Sequence, residues 1–107
     1  MAMTVVNAAE LESAGRKNVP LRRVLEKWLQ TVQRANWQSL ADVRRTFPSA
    51  DGVIVRGGGA QTVATVFNVK GNDYRIITVV NYSSATVLIC QVLTHAEYSK
   101  ERWKERL

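Results

Sequence analysis

The sequence predicts an α+β fold, with a small antiparallel β-sheet meander, N-terminal helices packed on one side and a short C-terminal helix. Three observations support this prediction. Apolar residues recur with helical spacing early in the chain, β-branched residues dominate from residue 62 to residue 94, and short turn signals divide that second stretch. The 107 residues are enough for one hydrophobic core, so we expect a single domain over residues 1–107.

The composition indicates a polyanionic partner. Fifteen Lys and Arg residues against nine Asp and Glu residues give a net charge of +6, which suits nucleic acid, an anionic membrane surface or an acidic protein. No apolar run approaches the roughly 20 residues that a membrane-spanning helix needs, and the N-terminus lacks the pattern of a signal peptide. Cys90 is the single cysteine, which excludes a disulfide framework. We therefore expect a cytoplasmic protein with no membrane partner.

The first predicted elements are a short strand and a short helix. Met3–Val6 is apolar and is expected to form an edge strand. Asn7 and Glu10 have the spacing of a capping box, in which each side chain accepts a hydrogen bond from the backbone N–H of the other residue. The helix that they would open contains Gly15, which should keep it short and weak.

The strongest helical signal spans Leu21–Asn36 and follows Pro20, whose missing N–H costs nothing at the start of a helix. Its apolar residues form a single stripe, which consists of Leu21, Val24, Leu25, Trp28, Leu29, Val32 and Ala35. Cations occupy the opposite side of this helix. We interpret them as a solvated face, the alternative being a surface that faces RNA; they are Arg22, Arg23, Lys27 and Arg34.

The middle of the chain predicts one more short helix and the first strand of a hairpin. Ser39 and Asp42 form a second capping-box pattern, and the helix that they open must stop before Pro48. Val53–Val55 is expected to be a strand. The stretch that follows, Arg56–Gly59, lacks the Gly-Lys-Ser/Thr sequence of a phosphate-binding loop, so we expect it to form the flexible tip of a hairpin.

Runs of Val, Ile, Thr and Tyr predict three further strands, at Thr62–Val69, Tyr74–Tyr82 and Ala85–Leu93. The dipeptides between them, Gly71-Asn72 and Ser83-Ser84, each suit a two-residue hairpin. The order of elements is therefore helices first and then an antiparallel meander.

The length of the first turn sets the register, because it pairs Asn68 with Arg75. Side chains alternate between the two faces along a strand. One face at this end of the sheet is then expected to carry Asn68, Lys70, Asp73 and Arg75, and the other Phe67, Val69, Tyr74 and Ile76. The second turn would pair Arg75 with Val92 and place Asp73 beside Thr94, so the last strand should end at the same rim.

After this last strand, Thr94 and Glu97 fit a third capping box, which gives both residues an adequate structural role. His95 and Tyr98 stand three residues apart, so they share one face of the helix. Backbone N–H groups at the start of a helix attract anions. We therefore expect His95 and Tyr98 to converge with the cations of the neighbouring hairpin.

The segment Phe67–Ile76 (FNVKGNDYRI), followed about twenty residues later by Thr94–Tyr98 (THAEY), resembles the HigB-type branch of the RelE/ParE toxin superfamily. The resemblance covers nearly the whole chain. It implies a RelE-like fold and the toxin of a type II toxin–antitoxin pair, which cuts mRNA, usually on the translating ribosome. It also implies a cognate HigA-like antitoxin with a helix-turn-helix fold.

The resemblance and the residues together suggest roles for the candidate site. Arg75 matches the arginine with which the superfamily holds the scissile phosphate, and a guanidinium is a permanent bidentate donor. Lys70 would add positive charge, while His95 and Tyr98 would transfer protons, with base and acid left open. The expected RNA contacts are Asn68, Lys70, Asn72 and Arg75. The acidic residues Asp42, Asp51, Asp73 and Glu97 are scattered or explained by caps and turns, so we expect no metal ion and no other cofactor.

Two non-enzymatic functions remain as alternatives. ParE-like proteins of the same superfamily inhibit DNA gyrase, and a fold does not fix a function. Against this alternative, a gyrase inhibitor has no need of the proton-transfer groups His95 and Tyr98. A non-catalytic RNA-binding module is the other alternative, but the tryptophans have the pattern of packing groups rather than of a base-stacking platform.

Overall fold

A computed structural model describes residues 2–57 and 60–107 and contains one five-stranded sheet in the order β1-β5-β4-β3-β2. Neighbouring strands are antiparallel except β1, which is a parallel edge strand beside β5. The strands are β1 (Thr4–Val6), β2 (Asp51–Gly57), β3 (Ala60–Val69), β4 (Tyr74–Asn81) and β5 (Thr86–Thr94). The helices are α1 (Ala9–Gly15), α2 (Val19–Arg34), α3 (Leu40–Thr46) and α4 (His95–Ser99), followed by a 3₁₀ helix, η1 (Arg102–Arg106). The predicted α+β fold is confirmed.

The N-terminal helices cover one face of the sheet and form the larger core. The apolar stripe of α2 is buried as predicted, with Trp28 against Phe67 of β3 at a ring-centroid distance of 5.2 Å. The helix begins two residues earlier than predicted, because the side chain of Asn18 accepts a hydrogen bond from the backbone N–H of Leu21 (3.0 Å) and so caps it. None of the helices in the described ranges is long and apolar enough to cross a membrane.

The C-terminal segment covers part of the opposite face. Trp103 of η1 is buried in one cluster with residues of β2, β3 and β4, which are Val55, Ala64, Val66 and Ile77. Its indole N–H donates to the carbonyl oxygen of Tyr98 (3.1 Å), and its own carbonyl accepts from the side chain of Gln91 (3.1 Å). This second core explains why β4 is apolar on both faces.

The predicted cap at Asn7 is wrong. Asn7 has a positive φ of 68°, and its side chain donates to the carbonyl of Ile89 in β5 (3.0 Å), so it anchors the turn between β1 and α1 instead of capping the helix. The residue at the N-cap position of α1 is Ala8, which makes no side-chain capping bond. Gly15 ends this helix at a close approach, where an added Cβ would lie 2.9 Å from the Cα of Arg22.

The second capping box is present only in part. Ser39 accepts from the backbone N–H of Asp42 (3.4 Å), but the Asp42 carboxylate accepts from the N–H of Gln38 (2.8 Å) instead of that of Ser39. The predicted hairpin strands are confirmed as β2 and β3. Of the predicted tip at Arg56–Gly59, Arg56 and Gly57 belong to β2, while Gly58 and Gly59 lie outside the described residues.

We predict that Trp28→Phe and Trp37→Phe both lower the free energy of unfolding. The loss should be smaller for Trp28→Phe, by about 1 kcal/mol or more. The two indoles are 2% and 3% exposed, but only Trp37 donates a hydrogen bond, to the hydroxyl of Thr46, while the Trp28 N–H has no partner in the described part of the chain. Losing an unpartnered buried N–H partly offsets the cost of the smaller ring. Urea denaturation of both variants measures the difference, and equal losses would contradict the prediction.

Candidate active site

The hairpin of β3 and β4 sets the geometry of the candidate site. Asn68 pairs with Arg75 and Val69 with Tyr74, so the register predicted from the first turn is confirmed. The two faces are also separated as predicted, since Phe67 and Ile76 lie in the core under the helices and Val66 and Ile77 in the core under η1.

The predicted pairing of β4 with β5 is confirmed from Asn81–Thr86 to Thr78–Ile89 and is wrong by one residue from Ile77 to Tyr74. A β-bulge at Ile77/Thr78 places Arg75 opposite Leu93 and Tyr74 opposite Thr94, in place of the predicted pairs Arg75–Val92 and Asp73–Thr94. The last strand still ends at the predicted rim. The backbone N–H of His95 donates there to the carbonyl of Asp73 (2.9 Å), which fixes the start of α4 to the hairpin turn.

Arg75 carries the central charge of the site. The residue is only 8% exposed, because the hairpin and α4 enclose it. Its Nη1 donates to the carbonyls of Asn72 (2.7 Å) and Tyr74 (3.1 Å), and its Nη2 lies 3.1 Å from Nδ1 of His95. Within residues 2–57 and 60–107 it forms no ion pair with any Asp or Glu. A buried cation held by neutral acceptors alone is free to bind an anion.

The hydrogen bond to Arg75 sets the tautomer of His95. A guanidinium has no acceptor, so Nδ1 of His95 accepts, and the neutral ring carries its proton on Nε2. The capping box that precedes this residue is confirmed. Thr94 accepts from the N–H of Glu97 (3.1 Å) and Glu97 accepts from the N–H of Thr94 (2.9 Å). The cap holds the exposed His95 at the first position of α4.

Tyr98 lies between two flat groups. Its ring is stacked on Trp103 with a centroid distance of 5.3 Å and an interplanar angle of 15°, and the Arg75 guanidinium carbon lies 5.4 Å from the centre of the Tyr98 ring. Burial raises the pKa of the Tyr98 hydroxyl, the negative charge of Asp51 raises it further, and the positive charge of Arg75 opposes them. Tyr98 therefore keeps its proton at neutral pH.

The structure does not bring Lys70 to the same side as Arg75. Lys70 has a positive φ of 53°, and its ammonium lies 5.7 Å from the ring of Tyr74, which packs against the core under the helices. The predicted shared face is wrong for Lys70, because a left-handed residue interrupts the alternation of side chains along the strand. Asn72 contributes its backbone carbonyl to Arg75, and Asn68 lines the open cleft in front of it.

This cleft has a volume of about 470 Å³ and brings in a cation that the sequence analysis missed. Its lining includes Arg44, whose Nε donates to the carbonyl of Ala50 (2.9 Å) and whose Nη2 lies 3.4 Å from the carboxylate of Asp51. Arg44 stands in the last turn of α3, where a cation is already explained by the helix dipole. Its position in the sequence therefore did not indicate that it also lines the cleft in front of Arg75.

Comparison with known proteins agrees with this architecture. The chain is 24% identical over 98 residues to the mRNA interferase HigB of Escherichia coli O6:H1, an alignment that covers 92% of this chain and 90% of that protein. Residues 21–101 match the family model of the HigB toxin, described as the RelE-like toxic component of a toxin–antitoxin system. The matched segment contains Asn68, Arg75, His95 and Tyr98, and it exceeds half of the chain. The chain therefore belongs to the HigB toxin family.

Proposed function

We propose that this toxin is a metal-independent endoribonuclease that cleaves mRNA in the cleft in front of Arg75. The observation that carries the proposal is the buried guanidinium of Arg75, which has neutral hydrogen-bond acceptors and a stacked ring but no carboxylate partner in the described ranges. The 24% identical relative, named as an mRNA interferase, supports this choice of substrate.

In the proposed reaction, the ribose 2′-oxygen attacks the adjacent phosphorus and the bond to the 5′-oxygen breaks, which leaves a cyclic phosphate and a free 5′-hydroxyl. Negative charge develops on the phosphate oxygens between these two events. The carbonyls of Asn72 and Tyr74 occupy two of the five N–H groups of Arg75, so three are available to these oxygens, including the one directed at His95 before RNA binds. Arg44 at the cleft wall would add a second positive charge.

The two proton transfers are assigned to His95 and Tyr98. His95 would take the proton of the 2′-hydroxyl on Nδ1 after the phosphate has drawn the Arg75 fork away from that nitrogen. Tyr98 keeps its proton at neutral pH, so it is suited to donate a hydrogen bond or a proton to the departing 5′-oxygen and unsuited to be the base. Asn68 in the cleft, with Lys70 and Asn72 at the turn, would contact the RNA chain on either side of the cut.

The proposed setting is the translating ribosome in the cytoplasm, with a HigA-like helix-turn-helix antitoxin as the neutralising partner. The net charge of +6 supports an encounter with ribosome-bound mRNA, because positive charge speeds association with a polyanion. Membership of a toxin–antitoxin family supports the neutralising partner.

We predict that Arg75→Ala lowers the rate of RNA cleavage by about 100- to 1000-fold, the usual cost of removing a group that stabilises transition-state charge. Induction in a bacterial host followed by mapping of mRNA 5′ ends measures the effect. Arg23→Ala, which removes an exposed arginine from α2, is the matched control and should cleave like the wild type. Growth arrest by the wild type with intact messages and a DNA-damage response would instead favour a ParE-like gyrase inhibitor.

We predict that Arg75→Met lowers the cleavage rate as much as Arg75→Ala does, without lowering the melting temperature. The methionine fills a similar volume against the Tyr98 ring, and it removes a buried charge that has no anionic partner in the described residues. Thermal unfolding followed by circular dichroism tests this. A melting temperature several degrees below that of the wild type would show that Arg75 stabilises the fold. It would contradict the interpretation of Arg75 as an unpaired charge that is available to a phosphate.

We predict different pH profiles for substitutions at the two proton-transfer residues. Tyr98→Phe keeps the stacked ring and should lower the cleavage rate without changing the shape of the profile between about pH 5 and 8, because the raised pKa keeps Tyr98 neutral throughout that range. His95→Gln replaces the one histidine of the chain and, because it removes the assigned general base, should change the shape of the profile. An unchanged profile in His95→Gln would contradict its assignment as the base.

A further inference from the structure

We infer that a second cleft, on the other side of α4 from Arg75, binds the phosphate backbone of the RNA beyond the cut. This inference rests on the proposed nuclease function and names a further part of the substrate site. Three cations line the cleft, which has a volume of about 220 Å³, and they are Lys100, Arg102 and Arg106.

All three cations are exposed, and none of them forms an ion pair with an Asp or Glu in the described part of the chain. The neighbouring Lys104 differs, because its ammonium lies 3.1 Å from the carboxylate of Glu101. The segment that carries the cations is fixed, since Trp103 is buried and its carbonyl accepts from the side chain of Gln91 in β5 (3.1 Å). The positive charge is therefore held in one place against the sheet.

The second cleft is continuous with the candidate active site. Tyr98 lines the cleft in front of Arg75 and Trp103 lines the second one, and these two rings are stacked on each other. The floors also adjoin, because Leu93 of the second cleft is the direct strand partner of Arg75. An RNA chain bound at Arg75 that continues past α4 would pass along the three cations.

The lining fits a nucleic-acid backbone better than an acidic protein. Protein interfaces depend on a few large apolar or aromatic anchors. The large apolar side chains exposed in the described residues all lie elsewhere, at Val6, Val19, Ile54, Val63 and Leu88. One carboxylate, that of Glu97, also lines the cleft, and it is held in place by the N–H of Thr94. The cations still outnumber it by three to one.

The test compares two triple variants that each remove one lysine and two arginines. Lys100→Gln/Arg102→Gln/Arg106→Gln empties the cleft of positive charge, and Lys27→Gln/Arg23→Gln/Arg34→Gln removes exposed charge from α2 on the opposite face of the sheet. Binding of a 2′-O-methylated single-stranded RNA, which has no 2′-hydroxyl to attack, is measured by fluorescence anisotropy across a salt series. The cleft variant should bind roughly tenfold more weakly, and its salt slope should fall by about 2, or about 0.7 for each lost phosphate contact.

Equal losses in the two triple variants would show an effect of net charge alone and would overturn the inference. Unchanged RNA binding by the cleft variant would also overturn it. This includes a cleft variant that binds RNA like the wild type but is no longer neutralised by an antitoxin. The proposed function is tested separately by the mapping of mRNA 5′ ends. A wild-type protein that cuts no message but binds RNA through this cleft would refute the nuclease and leave the second cleft standing.

Glu97→Gln should change the affinity for RNA in the opposite direction to the cleft variant. Glutamine at this position of a capping box also accepts the hydrogen bond from the N-cap N–H, so α4 should keep its position. The variant removes the one carboxylate that faces the proposed phosphates, and we expect it to bind the methylated RNA more tightly than the wild type. Unchanged or weaker binding, in a protein with an unchanged melting temperature, would overturn the inference.

Discussion

The buried charge of Arg75 is the constraint on which the rest of the site depends. A guanidinium taken out of water must have its donors satisfied, and here neutral groups from three parts of the chain satisfy them, namely the hairpin turn, β4 itself and the first residue of α4. A carboxylate in the same place would stabilise the charge further and would also compete with any phosphate. Neutral partners therefore keep the arginine ordered while they leave its charge available to a ligand.

The hairpin turn follows from this requirement. Lys70, Gly71 and Asn72 all have positive φ angles of 53°, 60° and 74°, and only the middle one is a glycine. A non-glycine residue in the left-handed region costs roughly 1 to 3 kcal/mol, and such strain persists where surrounding structure compensates for it. The turn presents the carbonyl of Asn72 to Arg75 at 2.7 Å, so the strained conformation places one of the acceptors of the guanidinium. The same conformation directs Lys70 away from the cleft. The turn therefore holds Arg75 in place but leaves the cleft without the positive charge of Lys70.

The elements that could be predicted are those that local chemistry determines. The two-residue turn specified the pairing of Asn68 with Arg75, and the spacing of Thr94 and Glu97 specified the cap that presents His95. Non-local features gave no such signal. The bulge adds one residue, Cys90, to β5 opposite Ile77/Thr78, and it follows the consecutive apolar residues Val87–Ile89, so the alternation pattern does not reveal it. Arg44 is held by Ala50 and Asp51, six and seven residues further along the chain, but its place in one cleft with Arg75 is a contact across the fold that no local spacing encodes.

Helix α4 has five residues, too few to be stable by itself, and its stability must come from packing. That packing is the Tyr98–Trp103 stack and the burial of Trp103 against β2, β3 and β4. The second core thus does more than cover an apolar face, because it fixes the helix that carries His95 and Tyr98, the two residues proposed to transfer protons. It also fixes the cations that follow Trp103, so the position of His95 and the path proposed for the RNA depend on one buried indole. A change that loosens Trp103 should therefore impair chemistry and RNA binding together, while a change confined to the exposed cations should impair binding alone.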